Sequence, residues 1–204
     1  MDICVFHLES REFEEMEQAL SSWDHQYRQM SAGAFRGMLR HTQVGDCGIF
    51  HNRWERAIHY EGTAPAGTIG LAISLAQIGE ARWMGHRVGL NDMIVQRSGK
   101  DAEYLSGSLW DSVVYAIPED DLADQIANLT QRDPEPVLSI HGVVHLAPQL
   151  AAQIRQKSLA YLQASREFRS RSGELRRLSD LAQDAGRLRH AGWFGKTRQT
   201  SGFA

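Results

Sequence analysis

Alternating apolar and polar positions predict a series of β-strands in the first part of the chain. Across residues 35–40, Phe35, Gly37 and Leu39 alternate with Arg36, Met38 and Arg40, which is typical of a strand with one face turned inward. Residues 47–52 repeat the pattern, and Gly45 and Asp46 supply a tight turn between the two runs. We therefore predict that residues 23–67 form consecutive antiparallel strands around which the rest of the domain is organised.

The β pattern continues beyond this region. Further apolar or alternating runs predict strands over residues 68–76, 81–88, 91–97, 104–106 and 112–117. Residues 1–8 contain a short apolar run that fits either an edge strand or a disordered start. Closely spaced strands with turn residues between them favour a sandwich or barrel over alternating strand–helix units.

Helical spacing of apolar residues replaces the β pattern near the start and after the last of these strands. Ser10 is a suitable N-cap for a helix that covers the sheet and ends near residue 23. Pro118 precedes three acidic residues, which predicts a helix over 118–130 because the helix dipole favours negative charge in the first turn. Residues 137–146 then predict a short extended element that returns to the sheet.

The C-terminal part carries two predicted helices, each with a narrow apolar stripe. One runs from Pro148 to about residue 169 and the other begins near residue 174. We interpret the stripes as a dimerisation surface with five apolar contact residues, Leu150, Ile154, Tyr161, Leu175 and Leu178. An intramolecular helical hairpin over one sheet face is the alternative. The predicted organisation is a β-domain over 1–146, a helical dimerisation and linker segment over 147–190, and a disordered tail over 191–204.

The formal net charge of −3 conceals a strong asymmetry along the chain. Residues 1–147 hold 11 Lys and Arg against 21 Asp and Glu, a charge of −10, whereas residues 148–204 hold 11 against 4, a charge of +7. A basic segment of this kind contacts nucleic acid or an acidic partner, or it is a solvated helix pair that complements the acidic domain. The second reading is favoured because helix surfaces are usually charged.

Cysteine content and apolar run length bear on the compartment. Cys4 and Cys47 are too few for a disulfide framework, which favours a reducing compartment. No apolar run reaches the length of a membrane span, and the N-terminus lacks the basic and apolar regions of a signal peptide. We predict a cytoplasmic protein that does not bind a membrane.

The sequence lacks the common catalytic motifs. A P-loop, a GxGxxG turn, a GxSxG elbow and an HExxH helix are all missing. A metal site in a β-barrel needs two histidines one residue apart with a carboxylate close by, but His51 is followed by Arg53 in the same phase. His141 and His145 are four residues apart in a segment that is predicted to be extended. We therefore predict no catalytic residues, no metal and no cofactor, and we expect that the protein is not an enzyme.

Aromatic and cationic residues are frequent in the predicted strands. A small barrel whose mouth is lined by such side chains holds an organic ligand, including an anionic one. We predict a ligand site formed by His51, Arg53, Trp54 and Trp83. In the alternative interpretation, the tryptophans fill the core and the arginines face solvent.

Three motifs resemble the N-terminal sensor domain of AraC-type transcription regulators. The first is the run from Trp23 to Leu39, which contains QMSAGAFRG in place of the QLSxGxFxG signature of one branch of the family. The others are the Gly62-x-x-Pro65-x-Gly67 turn and the segment ARWMG at 81–85. The resemblance spans about residues 13–119. It implies a cupin-like double-stranded β-helix, or jelly-roll barrel, that is followed by a helical pair and that binds a small effector or mediates dimerisation.

The sequence departs from this family at its C-terminal end. The family has a region with two helix-turn-helix units after the sensor, but only 14 residues follow His190, and they lack an apolar helical pattern. A naturally short protein, a shortened gene product and an isolated fragment all fit this observation. We expect no sequence-specific DNA binding by this chain alone.

The sequence therefore predicts a ligand-sensing and dimerisation domain with a small organic effector as its partner. It forms a homodimer or a mixed dimer with a full-length relative. One alternative is a small cupin enzyme, an isomerase or a dioxygenase, whose site the sequence does not reveal. The other is non-specific nucleic-acid binding by the basic C-terminal helices, which predicts strongly salt-dependent association.

Overall fold

The computed structural model describes residues 3–20 and 23–170, and this part of the chain is mainly β. Twelve strands, numbered in chain order, form two antiparallel sheets. The larger sheet has seven strands in the order β1 (Ile3–Ser10), β3 (Gly37–Val44), β4 (Cys47–Trp54), β11 (Leu109–Pro118), β6 (Thr68–Ile78), β9 (Asp92–Arg97) and β12 (Gly142–His145). The smaller sheet has five strands in the order β2 (Asp24–Gln29), β5 (Ile58–Thr63), β10 (Ala102–Leu105), β7 (Ala81–Trp83) and β8 (His86–Val88).

The predicted hairpin of residues 35–52 is confirmed and lies in the larger sheet. Strands β3 and β4 pair in register from Gly37 opposite Trp54 to Val44 opposite Cys47. The two-residue turn between them has Gly45 at φ +60°, a left-handed conformation that glycine adopts without steric cost. The first segment of the chain is also a strand, because β1 pairs along its whole length with β3 at the edge of the sheet.

Two predicted strands are wrong in part. Residues 81–88 form a hairpin of β7 and β8 instead of one strand, because Met84 and Gly85 both adopt positive φ and reverse the chain. In the segment 137–146, the first residues belong to a short helix, α3 (Glu135–Leu138), and only β12 is extended. The Asp133 carboxylate accepts a hydrogen bond from the Glu135 backbone N–H at 3.0 Å, which favours the helical turn over a strand.

The helix near the N-terminus is shorter than predicted, whereas the helix after β11 has the predicted length. Helix α1 (Phe13–Gln18) does not extend to residue 23, because the Trp23 N–H bonds to the Leu20 carbonyl and the chain turns there. Helix α2 (Glu119–Thr130) begins directly after Pro118 and has three acidic residues in its first turn. The start of α2 therefore agrees with the prediction made from Pro118 and the three acidic residues that follow it.

The main core lies between the two sheets. Both sheets contribute large side chains to one buried cluster, which includes Leu39, Phe50, Trp54, Ile58, Tyr60, Trp83, Tyr104 and Trp110. Helix α1 covers one side of this cluster with Met16. Ring contacts join the two sheets: the ring centroids of Tyr27 and Trp54 are 4.7 Å apart, and those of Tyr104 and Trp110 are 5.1 Å apart.

The outer face of the larger sheet is covered by α2, α3 and α4 (Pro148–Ser170). Along α4 the buried residues are Ala151, Ile154, Ser158 and Leu162, which recur every three or four positions and face the sheet. Ile154 is only 4% exposed and packs near Ile73 of β6. This arrangement corresponds to the intramolecular alternative for the part of the helical segment that the structure describes.

The predicted dimerisation residues have different environments. Ile154 is buried within its own chain, Tyr161 is partly buried against the sheet, and Leu150 is 46% exposed. Leu150 and the exposed Leu159 are nine residues apart, so they lie on opposite flanks of α4, about 180° apart around the helix axis. Leu175, Leu178 and the predicted tail over 191–204 lie outside the described residues.

Candidate ligand-binding site

A cavity of about 50 Å³ lies between the two sheets. Strands of both sheets and the segment after α1 line it, and most of its wall is aromatic or aliphatic. Its lining residues with polar groups are three tyrosines, three tryptophans, one asparagine and one glutamine, and no charged side chain of the described residues belongs to the lining. The lining includes Trp23, Phe50, Asn52, Tyr60, Trp83, Gln96 and Tyr104.

Four polar atoms on residues of this lining are buried and have no hydrogen-bond partner among the described residues. They are Trp23 Nε1, Trp83 Nε1, Asn52 Oδ1 and the Tyr104 hydroxyl. Leaving such a group unpaired costs about 1–3 kcal/mol. Three of the four residues carry N–H or O–H donors, and Asn52 has a carbonyl acceptor, so the residues around the cavity have unused hydrogen-bonding capacity in apolar surroundings.

The Tyr60 and Gln96 side chains belong to the cavity wall and are hydrogen-bonded to each other. The Gln96 amide contacts the Tyr60 hydroxyl, with Nε2 at 2.9 Å and Oε1 at 3.2 Å, and Nε2 also lies 2.9 Å from the Gly62 carbonyl oxygen. These contacts link β5 of the smaller sheet to β9 of the larger one. They fix the two side chains, in contrast to the unpaired groups across the cavity.

Burial keeps the tyrosines of the cavity protonated. It raises the pKa of Tyr60 to about 12, and it raises the pKa of Tyr27 and Tyr104 well above the usual value of a phenol. A neutral phenol is a hydrogen-bond donor as well as an acceptor. At neutral pH the cavity therefore offers donors without offering charge.

Trp23 closes one side of the cavity. Its indole contacts the ring of Phe50 edge-on at a centroid distance of 5.8 Å. A Cβ atom at Gly70 would lie 3.2 Å from the Trp23 ring, so the absence of a side chain there lets the indole approach the sheet. Leu20 at the end of α1 lines the same side.

The structure does not bring the four sequence-predicted ligand residues into one site. Only Trp83 lines the cavity. Trp54 is fully buried in the core, where its ring contacts Phe35 at 5.5 Å and Tyr27 at 4.7 Å between centroids. His51 and Arg53 alternate with the cavity-lining residues of β4 and lie on the opposite face of the sheet.

His51 and Arg53 instead share the carboxylate of Asp111 on β11. His51 Nε2 lies 2.8 Å from Asp111 Oδ1, and Arg53 Nη1 lies 3.5 Å from Oδ2. His51 and Asp111 are buried, and the second ring nitrogen of His51, Nδ1, has no partner among the described residues. This polar cluster joins β4 to β11, which are paired neighbours in the sheet.

His141 and His145 make separate contacts at the edge of the larger sheet. His145 Nδ1 lies 2.6 Å from an Asp92 carboxylate oxygen, and His141 Nδ1 accepts a hydrogen bond from the Arg97 N–H at 3.2 Å. Within residues 3–20 and 23–170, no group of three or more His, Cys, Asp or Glu side chains is arranged to hold a metal ion.

Comparisons with known proteins add no family assignment. The chain matches no protein-family model, and the search of curated proteins gives no significant match. The resemblance to AraC-type sensors stays a prediction. In the part of the chain that the structure describes, no helix combines the length and the apolar character needed to cross a bilayer.

Sequence reasoning missed most of the polar groups that line the cavity. Asn52 and Tyr104 are unremarkable in the sequence, and Gln96 lies at the end of a short apolar strand. The one usable signal was the phase of β4, where Phe50 and Asn52 alternate with His51 and Arg53. Neighbouring residues of a strand point to opposite faces of the sheet, so Arg53 is placed away from any cavity that Asn52 lines.

Proposed function

We propose that this protein is a small-molecule sensing domain whose ligand binds in the cavity between the two sheets. The observation that carries the proposal is that four residues around one apolar cavity, Trp23, Asn52, Trp83 and Tyr104, each have a buried polar atom without a hydrogen-bond partner among the described residues. Buried polar groups are nearly always hydrogen-bonded in folded proteins. A ligand that supplies their partners removes the cost of leaving them unpaired.

The lining points to a neutral ligand that accepts hydrogen bonds and carries a small apolar part. Indole and phenol donors bind a carbonyl or hydroxyl oxygen, and the surrounding rings pack against carbon. A carboxylate would enter the cavity without any cation to pair with, which carries a large desolvation cost. At about 50 Å³, the cavity holds only a few heavy atoms unless its walls move.

The same proposal includes the relationship to AraC-type sensors. Two antiparallel sheets with a shared aromatic core support a cupin-like jelly-roll domain, as the resemblance implies. In this reading, ligand binding changes how the domain presents its helical segment to a partner. The domain itself acts as the receptor for the ligand and not as the DNA reader.

Dimerisation is the second part of this proposal. Because the apolar stripe with Ile154 packs on the sheet of its own chain, the contact between copies uses a surface other than that stripe. The mass of the full chain, measured by light scattering across a range of concentrations, tests this part. A dimer mass is expected, and a monomer mass at all concentrations would contradict it.

Calorimetric titration with a panel of small neutral alcohols, ketones and lactams tests ligand binding. We expect at least one compound to bind the wild-type chain saturably. The variant Ala72→Leu adds side-chain volume at the cavity wall and should abolish binding of that compound. The matched control is Ala160→Leu on the exposed side of α4, which should bind like the wild type.

Equal affinities of Ala72→Leu and Ala160→Leu for the compound would reject the cavity as the binding site. Thermal unfolding in the absence of ligand distinguishes a blocked cavity from a damaged fold. A cooperative transition for Ala72→Leu together with lost binding supports the proposal.

A further inference from the structure

Two neighbouring residues of the smaller sheet bring unused hydrogen-bond donors to the cavity wall. Trp83 of β7 and Tyr104 of β10 are directly opposite each other in the strand register, and their ring centroids are 6.3 Å apart. Neither Trp83 Nε1 nor the Tyr104 hydroxyl has a hydrogen-bond partner among the described residues. The hydroxyl keeps its proton because burial raises the pKa of Tyr104. Both residues therefore have a donor to offer to a ligand.

The larger sheet contributes a side chain with the opposite capacity. Asn52 of β4 lines the cavity and is only 4% exposed, and its Oδ1 is buried without a partner in the part of the chain that the structure describes. Ser112 of β11 is opposite Asn52 in the strand register, so the two side chains lie on the same face of the sheet. The Ser112 hydroxyl has no partner within residues 3–20 and 23–170 either, so it does not satisfy the Asn52 amide. An unused acceptor therefore belongs to this wall.

The other amide in the cavity lining is already engaged. Gln96 contacts the Tyr60 hydroxyl through both Oε1 and Nε2, and its Nε2 also donates to the Gly62 carbonyl. Asn52 is therefore the lining amide whose oxygen is left over. A ligand that only accepts hydrogen bonds satisfies the donors of the smaller sheet but leaves Asn52 Oδ1 unpaired.

We propose that the ligand of the cavity is a small neutral secondary amide, which accepts hydrogen bonds from Trp83 and Tyr104 and donates its N–H to Asn52. This inference rests on the proposed ligand site and narrows the class of its ligand. In a trans amide the C=O and N–H groups point in opposite directions, so one planar group faces the donors of one sheet and the acceptor of the other. Asn52 then determines specificity, because a ketone or ester of the same shape has no N–H to give it.

N-methylacetamide and methyl acetate are a matched pair of ligands for testing this assignment. The two molecules have the same number of heavy atoms, and the amide has an N–H where the ester has an oxygen. NMR titrations of the wild-type chain, followed at the tryptophan indole N–H signals, give both affinities. We expect N-methylacetamide to bind with a Kd at least about tenfold lower, the factor that one additional hydrogen bond contributes. Equal affinities, or tighter binding of the ester, would overturn the inference.

Two substitutions of Asn52 separate hydrogen bonding from cavity shape. Asn52→Leu removes the amide but keeps the number of side-chain heavy atoms, whereas Asn52→Ala enlarges the cavity. In both variants the amide should bind only about as tightly as the ester, because the acceptor for its N–H is missing. The control Asn128→Leu, at an exposed position on α2, should keep the wild-type preference. A tenfold preference that survives in either Asn52 variant would overturn the inference.

Failure of this inference and failure of the proposed function give different results. Cooperative thermal unfolding first shows that each Asn52 variant is folded. If no compound binds the cavity, the proposed function fails and this inference fails with it. If ketones bind the wild type and Ala72→Leu blocks them, but the amide shows no preference that depends on Asn52, the cavity is a ligand site and only the amide assignment is wrong.

Discussion

The side-chain oxygens of Tyr115 and Ser158 lie 2.6 Å apart in a buried contact between β11 and α4. Ser158 also donates to the Ile154 carbonyl at 2.9 Å, so the contact ties the helix backbone to the central part of the sheet. Helix α4 therefore belongs to the folded domain and is not merely a linker that follows it. This docking has consequences that can be measured separately from ligand binding.

Replacing the buried residue of α4 should destabilise the domain much more than replacing its exposed neighbour. Ile154→Ala leaves a cavity against Ile73 and should lower the free energy of unfolding by about 2–5 kcal/mol. Leu150→Ala, with 46% exposure in the native state, should cost less than about 1 kcal/mol. Urea unfolding monitored by circular dichroism measures both, and equal costs would contradict the docked position of the helix.

The stability of the domain should fall when the pH rises above about 10. Burial raises the pKa of Tyr60 and of Tyr115 to about 12, whereas an unfolded tyrosine ionises near 10. Below pH 10 both states keep the phenolic proton. Between the unfolded and folded pKa values, the unfolded state has lost protons that the folded state retains, so stability decreases with pH by about 1.4 kcal/mol per unit for each tyrosine.

Urea unfolding at several values between pH 9 and 11 measures this slope. The double variant Tyr60→Phe/Tyr115→Phe should be less stable at pH 9 but should lose stability more slowly as the pH rises. An unchanged slope would mean that these phenols are not the groups responsible.

Two tyrosines of the cavity should respond to hydroxyl removal in opposite ways. Tyr104→Phe removes an unpaired buried hydroxyl and should leave stability unchanged or raise it by about 1 kcal/mol. Tyr60→Phe leaves Gln96 Oε1 without its partner and should lower stability by about 1 kcal/mol. Thermal unfolding of the two variants provides the comparison. If Tyr104→Phe were as damaging as Tyr60→Phe, its hydroxyl would have a structural partner and would not be reserved for a ligand.

Loss of the Asp111 carboxylate, which His51 and Arg53 share, should destabilise the domain more than loss of the partly exposed Glu55 carboxylate. Asp111→Ala leaves both nitrogens of the buried His51 ring without a partner among the described residues, which should cost about 1–3 kcal/mol. Glu55→Ala removes only an exposed ion pair of Arg53 and should cost about 1 kcal/mol or less. Denaturant midpoints of the two variants test the ranking, which would be refuted if Glu55→Ala were the more damaging change.

The local features of the fold could be predicted because they depend on neighbouring residues. Gly45 supplies the left-handed turn of the β3–β4 hairpin, and Pro118 with its following acidic residues marks the start of α2. The turn at Met84 was missed because a non-glycine residue at positive φ leaves little signal in the sequence.

The site was harder to predict because it depends on which face of β4 each residue occupies and on how the two sheets pack together. Both faces of β4 are buried, one by the smaller sheet and one by helices, so burial along the strand does not alternate. His51 and Trp54 therefore looked like members of one site. The residues that line the cavity come from strands of two sheets, and the packing of one sheet on the other brings Asn52 and Tyr104 to the same space.

The most direct test of the central claim is an NMR titration of the tryptophan indole N–H signals in ¹⁵N-labelled protein with small neutral hydrogen-bond acceptors. Single Trp→Phe variants assign the signals. Trp54 is the internal control, because its Nε1 is also buried and unpaired but its side chain does not line the cavity. The account predicts a saturable downfield shift at Trp23 and Trp83 that is larger than the shift at Trp54. If no compound of the panel shifts Trp23 or Trp83 saturably, or if Trp54 shifts equally, the cavity is not the ligand site.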